Sequence, residues 1–322
     1  MAIVAPAFAR YGGWLALLWL GLVALAAVLA PVLPLPYAPG VPDLAHLSQP
    51  PLGPGQHWLG TDPQGRDVLS ELVFGARTAF LLTLPATLAA ALVGAALGGA
   101  AGFWGNKFRL SVAYWLLAAG GAWGALAMPL PWVGWSVLAL GMAAWWFRRE
   151  LPAWAVPLDS AVTGVAATLD TIPRLVLVVA LAAGAGGVSV WGLLALLAFT
   201  TWPHHARQVR AQMLRIRTLP FIEATQALGL PTWQIWARHA IPHAIRPLRT
   251  SLPLSLAGLL ALESTLSFLG IGLPPNIASW GRLLATIRTE PSAWWTLAFP
   301  ALCLIMSILS LNALSRWQPS RQ

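Results

Sequence analysis

The side chains whose type and spacing could support chemistry are histidines and one carboxylate. His239 and His243 lie four residues apart, the spacing of two metal ligands on one helical face, and His204 is followed directly by His205. Glu263 is the carboxylate that lies well inside a long apolar stretch. Because a charge in hydrocarbon costs roughly 2.5–3.5 kcal/mol on insertion scales, we expect Glu263 to face a water-filled path or a polar partner, or to lie nearer the membrane boundary. Pathway and structural roles both stay open.

No motif of bond chemistry accompanies these residues. The sequence contains no HExxH, GxSxG or paired-cysteine signature, and no GxxxxGKS or GxxxxGKT loop that would hold nucleotide phosphates. The histidine pairs have no carboxylate at a suitable spacing, which favours interfacial histidines over metal ligands. We therefore predict no catalytic residue, no metal site and no cofactor, ATP included, bound by this chain. A membrane-embedded metalloenzyme that uses the histidines with Glu263 is the alternative.

The composition is that of a polytopic membrane protein. Of the 322 residues, 58% are hydrophobic and 9% are charged, whereas about a quarter of the residues in a soluble domain are charged. The mean hydropathy is +0.70. The net charge of +9 includes one lysine and no basic cluster with interleaved aromatics, so we predict no nucleic-acid partner. Many of the 19 tryptophans lie near predicted membrane boundaries, as a belt in contact with lipid requires.

Apolar stretches long enough to cross a bilayer predict an all-α bundle of about eight spans. They are Trp14 to Leu33, Arg77 to Phe103, Leu110 to Ala127, Trp132 to Phe147, Asp159 to Ala183, Val188 to Pro203, Pro247 to Leu269 and Trp294 to Leu314. The corresponding organisation is an anchor at 1–34, an extracytoplasmic connector at 35–76, a transmembrane domain at 77–315 and a cytoplasmic tail at 316–322. A cleaved signal peptide is the alternative for the first span, but its length and the following Pro31 favour a retained anchor.

The basic residues predict the orientation of these spans. All of them except Arg66, Arg77, Arg282 and Arg288 fall in segments assigned to the cytoplasm, as the positive-inside rule requires. We therefore place both termini in the cytoplasm. The glycines within the second span, which are Gly94, Gly98, Gly99 and Gly102, predict a face on which another helix approaches closely.

Residues 106–157 form an insertion between the second span and the rest of the bundle. Its two apolar limbs are separated by Pro129-Leu130-Pro131 and have basic residues at both outer ends. We interpret it as a hairpin that crosses the membrane out and back, which leaves every later segment in its original orientation. The second limb is short, so a re-entrant or interfacial hairpin is the alternative.

Residues 218–243 are the longest stretch of mixed polarity between predicted spans. Pro220 suits a first helical turn, and Glu223 lies near the positive end of the helix dipole. Gly229 can adopt a left-handed backbone, and a second helix follows that ends near Pro242. The segment is therefore predicted to be helix, sharp bend, helix on the cytoplasmic face, where a partner would dock.

This segment resembles the EAA loop of the permeases of ABC importers. The resemblance rests on Glu223-Ala224-Thr225, Gly229 and Ile241-Pro242, and the stretch from Arg238 to Pro242 resembles the RHILP form of the peptide and nickel branch. Thr225 stands in place of the second alanine. Asp170-Thr171-Ile172-Pro173 is similar to the aspartate and IPxL segment of the same family.

Two further stretches resemble the same branch. His57 to Asp67 is similar to HPLGTDxxGRD, with Trp58 in place of the proline, and Leu262 to Gly272 with Ser279-Trp280-Gly281 is similar to EAxLSFLGLG and SWG. A histidine and two aspartates in the first stretch also suit a metal, but its glycines and proline favour turn and capping roles.

The resemblance implies a type I importer permease with six core helices and one inserted hairpin, in the inner membrane. It would form half of a translocation path for peptides or nickel, beside a second, homologous permease. An extracytoplasmic binding protein would deliver the solute, and separate ATP-binding subunits would consume ATP. Glu223, Ala224, Gly229, Ile241 and Pro242 would contact those subunits, and Glu263 would be a candidate for the path.

Overall fold

The computed structural model describes residues 5–53, 57–111, 153–184 and 189–317. Its helices are α1 (Ala5–Leu29), α2 (Val68–Trp104), α3 (Leu158–Thr171), α4 (Arg174–Gly184), α5 (Val190–Ile216), α6 (Pro220–Ala227), α7 (Thr232–Gln234), α8 (Ile241–Ala244), α9 (Leu248–Phe268), α10 (Trp280–Ala285) and α11 (Trp295–Arg316). A π-helical segment, Ile235–Ala240, joins α7 to α8. The strands are β1 (Phe108–Ser111) and β2 (Ala153–Val156). The predicted helical bundle is confirmed, whereas the short ladder was not predicted.

Helix α2 is the long axis of the bundle. It contains 37 residues, about 55 Å at 1.5 Å per residue. The helix begins at Val68 and not at Arg77, where the predicted span starts. The reason is local, because the Asp67 carboxylate accepts a hydrogen bond from the amide of Ser70 and so caps the first turn.

Helices α2 and α5 pack closely along a row of glycines. An added Cβ at Gly94 would lie 2.8 Å from the Trp202 carbonyl oxygen. One at Gly98 would overlap the backbone of Ala206, one turn further along α5. The four-residue spacing of glycines on α2 therefore matches that of their partners on α5, and the predicted close approach is confirmed.

Helices α1 and α11 cover the other side of α2. The Trp19 indole donates to Ser307 Oγ at 3.0 Å, and the rings of Trp14 and Trp317 meet edge to face with centroids 5.6 Å apart. The start of α1 and the end of α11 are therefore neighbours. The start of α11 lies beside the turn that precedes α2, because the Trp295 indole donates to the Thr61 carbonyl. The end of α11 and the start of α1 therefore lie toward the end of the bundle where α2 terminates. Residues 218–243 also lie at that end, where Trp236 contacts Trp104.

The predicted span from Asp159 to Ala183 is broken. Helices α3 and α4 meet at an angle of 89°. Ile172 between them is extended, with φ −99° and ψ 127°, because a proline disfavours the α-helical region for the residue before it. The stretch predicted as a span is therefore a pair of helices with its break next to Pro173.

The described residues contain four helices that are long and apolar enough to cross a membrane, or five spans if the bent pair counts as one. Those four are α1, α2, α9 and α11, and α5 lies along α2 as a further long helix whose second half is polar. Both limbs of the predicted hairpin fall in residues 112–152, outside the described residues, apart from Leu110 and Ser111, which belong to β1.

The two ends of the insertion meet in the described part of the chain. Strands β1 and β2 pair antiparallel, with Phe108 opposite Val156 and Ser111 opposite Ala153. Next to the ladder, the Asn106 side chain donates to Ser160 Oγ at 2.9 Å and accepts from the Ser160 amide. The chain therefore leaves the bundle and returns to it at one point.

Candidate functional site

The bend at Gly229 joins α6 to the next helix. The Gly229 amide donates to the Gln226 carbonyl at 2.9 Å and the Leu230 amide donates to the Thr225 carbonyl at 3.3 Å. This pair of bonds is a Schellman motif, which requires a left-handed residue at the glycine position. Gly229 has φ +73°, so the predicted left-handed bend is confirmed.

Past the bend, the chain forms the π-helical segment before Pro242. Pro242 has no amide hydrogen to donate to the carbonyl four residues earlier, and its ring crowds that carbonyl. The Ile241 amide donates instead to the Trp236 carbonyl, five residues back. The proline thus widens the helix by one residue. His239 lies within the π-helical segment, and His243 lies in the helix after it.

The inner face of residues 218–243 is fixed to the bundle. Its buried members are Ile222, Ile235 and Ala240, and they pack with Val209, Met213 and Ile216 of α5. The rings of Trp236 and Trp104 have centroids 5.3 Å apart, which adds a contact with the end of α2. Motion applied to the outer face of this segment would therefore reach α2 and α5 directly.

The outer face presents most of the predicted coupling residues. Glu223, Ala224, Gly229 and Pro242 are exposed. Ile241 is only partly exposed, because its Cδ1 lies against Gly99 of α2. The first four are therefore accessible to a partner, whereas Ile241 has a packing role.

Two large apolar side chains at the bend belong to the same surface. Leu228 is 79% exposed and Trp233 is 62% exposed. Exposed apolar groups of this size beside a tight turn are typical of a docking surface. The motifs did not single them out, although their position on either side of Gly229 was a usable signal.

Glu263 lies at the other end of the bundle, buried in α9. Its Oε1 accepts hydrogen bonds from Ser267 Oγ at 2.8 Å and from Ser279 Oγ at 3.0 Å. Ser279 Oγ in turn accepts from the Gly281 amide at the start of α10. The carboxylate therefore joins α9 to α10, and its place in a translocation path stays a prediction.

Arg282 holds the loop between α9 and α10. Its guanidinium donates to the carbonyl oxygens of Leu273, Pro275 and Ile277 at 2.6–2.9 Å. The Trp280 indole donates to the Leu72 carbonyl at 2.9 Å. The SWG stretch is thereby attached to the first turns of α2.

The stretch from His57 to Asp67 forms a tight turn against the same end of the bundle. The Asp62 carboxylate accepts from the amides of Gln64 and Arg66 at 2.8 Å, and burial raises the pKa of that carboxyl. Asp67 caps α2. The turn and capping roles predicted for these two aspartates are confirmed, and the Trp295 indole ties the turn to α11 through the Thr61 carbonyl.

The remaining histidines do not gather around Glu263. His205 is buried in α5 with no hydrogen-bond partner among the described residues. The His243 ring lies beside Phe221, with centroids 5.5 Å apart. Across the described ranges, one group of three or more potential metal ligands occurs, and it consists of Asp43, His46 and His57. In the described part of the chain, Glu263 therefore belongs to no such group of potential metal ligands, although the metalloenzyme alternative would need one there.

Comparison with known proteins agrees with the motifs. Residues 153–322, more than half of the chain, match the family described as the inner membrane component of binding-protein-dependent transport systems. A Brucella suis protein provisionally named a peptide permease is 28% identical over 293 residues, which cover 89% of this chain and 79% of the relative. A peptidoglycan transport system permease of Agrobacterium fabrum is 28% identical over 256 residues, 79% of this chain and 54% of the relative. The chain therefore belongs to the family of inner-membrane components of binding-protein-dependent transport systems.

Proposed function

We propose that this chain is one permease subunit of an ATP-driven importer and forms half of a path for di- or oligopeptides. The names of its relatives, which refer to peptide and peptidoglycan transport, support the solute class. A homologous permease supplies the other half of the path, and an extracytoplasmic binding protein delivers the solute. The chain itself performs no bond chemistry, and ATP is bound by separate subunits.

The observation that carries the proposal is the bend at Gly229 with its two faces. The outer face carries exposed Leu228 and Trp233, while the inner face is packed against α5 and α2. An ATP-binding subunit that receives the bend can therefore move both long helices. Most of the basic residues belong to segments assigned to the cytoplasm, which supports the assignment of this end of the bundle to the cytoplasmic face. Trp14 near the start of α1 and Trp317 after α11 meet at this end.

Gly229→Val tests this docking role. A residue with a Cβ in the left-handed region costs about 1–2 kcal/mol, and no atom lies within 4 Å of a Cβ added at Gly229, so the bundle itself can accommodate the side chain. The variant should express and insert normally, yet lose co-purification with its ATP-binding subunits and lose uptake. Ala227→Ser is the matched control, because Ala227 is also exposed but has an ordinary helical backbone in α6 that does not require a glycine. A Gly229→Val protein that keeps both partner and uptake would refute the docking role.

The solute is tested by uptake into proteoliposomes. The chain is reconstituted with the ATP-binding subunits, second permease and binding protein that the proposal assigns to it, and labelled di- and oligopeptides are compared with nickel. ATP-dependent peptide accumulation is the expected result. Accumulation of nickel alone would overturn the peptide assignment and leave the permease assignment intact.

A further inference from the structure

Three side chains at the end of the bundle away from the Gly229 bend point toward one spot. Asp43 and His46 belong to the connector that follows α1, and His57 precedes the turn that leads into α2. The ligand atoms of all three lie within 4.8 Å of one another. His46 Nδ1 is 2.8 Å and His57 Nε2 is 3.4 Å from Asp43 Oδ2.

These separations suit a tetrahedral transition-metal ion. With ligand bonds of about 2.0–2.2 Å, the edge of the tetrahedron around Zn²⁺ is about 3.3–3.6 Å. The distance between His57 Nε2 and Asp43 Oδ2 has this value without any movement. His46 needs a small outward rotation, which its side chain, 38% exposed, has room to make.

The contacts around His57 direct its Nε2 atom toward this spot. Asp67 Oδ2 accepts from the Ser70 amide, and Asp67 Oδ1 lies 3.0 Å from His57 Nδ1. A carboxylate beside one ring nitrogen, with the other nitrogen directed at the ion, is the usual support of a metal-binding histidine. His57 Nε2 faces Asp43 Oδ2, so a cation between these two atoms would be held by both.

The surroundings hold the ligands in place. The Tyr37 ring stacks on His57 with centroids 3.9 Å apart. The Asp43 amide donates to the Gly65 carbonyl at 2.8 Å, and Asp43 Oδ1 accepts from the Ala45 amide at 3.0 Å. The other oxygen, Asp43 Oδ2, faces the two imidazole rings, so it is the oxygen that would hold an ion. His57 is 1% exposed, whereas the Asp43 side chain is 27% exposed, so the spot opens to solvent on one side.

We propose that Asp43, His46 and His57 bind a divalent transition-metal ion of the Zn²⁺ class, with water in the fourth position and Asp67 as the positioning residue. Two imidazoles and one carboxylate suit Zn²⁺, whereas Ca²⁺ and Mg²⁺ prefer oxygen ligands throughout. The bound ion would attach the connector to the first turn of α2. The sequence argued against a metal in the stretch from His57 to Asp67 because its glycines and proline favour turn and capping roles. That stretch contributes only His57 to the site, and the other two ligands lie in a connector without a motif.

Zinc titration of the full-length protein in detergent, with any histidine tag removed and after treatment with a chelator, tests the site. We expect one Zn²⁺ per chain and a rise of the unfolding temperature on binding. His46→Ala should weaken binding at least tenfold and abolish the temperature rise, and its exposed position makes it tolerable for folding. Asp67→Asn keeps an oxygen for the cap of α2 but should weaken binding about 10–100-fold.

His239→Ala is the matched control, because it also removes one of the six histidines but lies at the opposite end of the bundle. It should bind Zn²⁺ as the original protein does. Co²⁺ in place of Zn²⁺ should give the intense visible absorption of a tetrahedral ion, lost in His46→Ala alone. The proposal is overturned if the protein takes up no stoichiometric ion, or if His46→Ala and His239→Ala bind Zn²⁺ equally well.

Discussion

The Glu263 carboxylate holds two helices together at a point where a charge is expensive. Ser264 Oγ donates to its Oε2 at 3.4 Å, while Ser267 and Ser279 donate to Oε1. A buried carboxylate is tolerated when hydroxyl groups replace the water it has lost. The close packing of α9 and α10 at this point also requires a glycine at position 281, because a Cβ there would overlap the backbone of Ser264.

Glu263→Gln should keep most of this arrangement, since the amide oxygen can still accept from Ser267 and Ser279. We expect a thermal unfolding midpoint and peptide uptake close to those of the original protein. Glu263→Ala leaves both hydroxyls without their acceptor, which costs about 1–3 kcal/mol per buried group, and should lower the midpoint clearly. Loss of uptake in Glu263→Gln at an unchanged midpoint would contradict the structural role and favour a place in the translocation path.

At the scale of elements, the contact between α2 and α5 determines the architecture. Gly94, Gly98 and Gly102 lie on one side of α2, and the α5 backbone approaches each of them. An added Cβ at Gly102 would lie 2.9 Å from the Arg210 carbonyl oxygen. In lipid such close packing replaces the hydrophobic driving force between helices, because lipid tails are as apolar as the side chains.

Gly98→Ala should therefore destabilise the bundle, because the new methyl group would overlap the Ala206 carbonyl and force α2 and α5 apart. Overpacking of this kind typically costs about 1–3 kcal/mol. We expect a lower thermal midpoint in detergent. Gly258→Ala is the control, since nothing lies within 4 Å of a Cβ added at that exposed position of α9. Equal midpoints for the two variants would show that the glycine row does not determine helix packing.

At the scale of the whole molecule, each end of α2 lies at one of the two faces of the protein. Near its start lie the turn from His57 to Asp67 and the loop held by Arg282. Near its end, Arg217 donates to the Gly102 carbonyl and the insertion leaves through β1 and returns through β2. The insertion therefore begins and ends on the face assigned to the cytoplasm.

A cysteine at Leu130 tests whether the insertion crosses the membrane. In a Cys303→Ser background, Leu130→Cys should react with an impermeant thiol reagent from outside intact cells, because basic residues flank both limbs of the insertion. Trp58→Cys, exposed at the far end of the bundle, is the control for external labelling, and Ala227→Cys is the control for internal labelling. Reaction of Leu130→Cys only after permeabilisation would exclude the crossing hairpin.

The features that the sequence determined by itself are local ones. The left-handed bend at Gly229, the cap at Asp67 and the Asx turn at Asp62 follow from what neighbouring residues permit, and each is found where it was expected. The apolar character of the four spans in the described part of the chain is equally local, because it depends on runs of residues and not on their partners.

The tertiary structure decided which distant residues meet. The 89° bend between α3 and α4 depends on how both halves pack, although Pro173 marks its place. Only the folded chain shows that Ser279, sixteen positions later, donates a hydrogen bond to Glu263. Asp43 and His57 are separated by a connector whose composition specifies no fold, so only the folded chain brings both of them to one spot. Local preference acts over a few residues, whereas these contacts require the whole bundle to be packed.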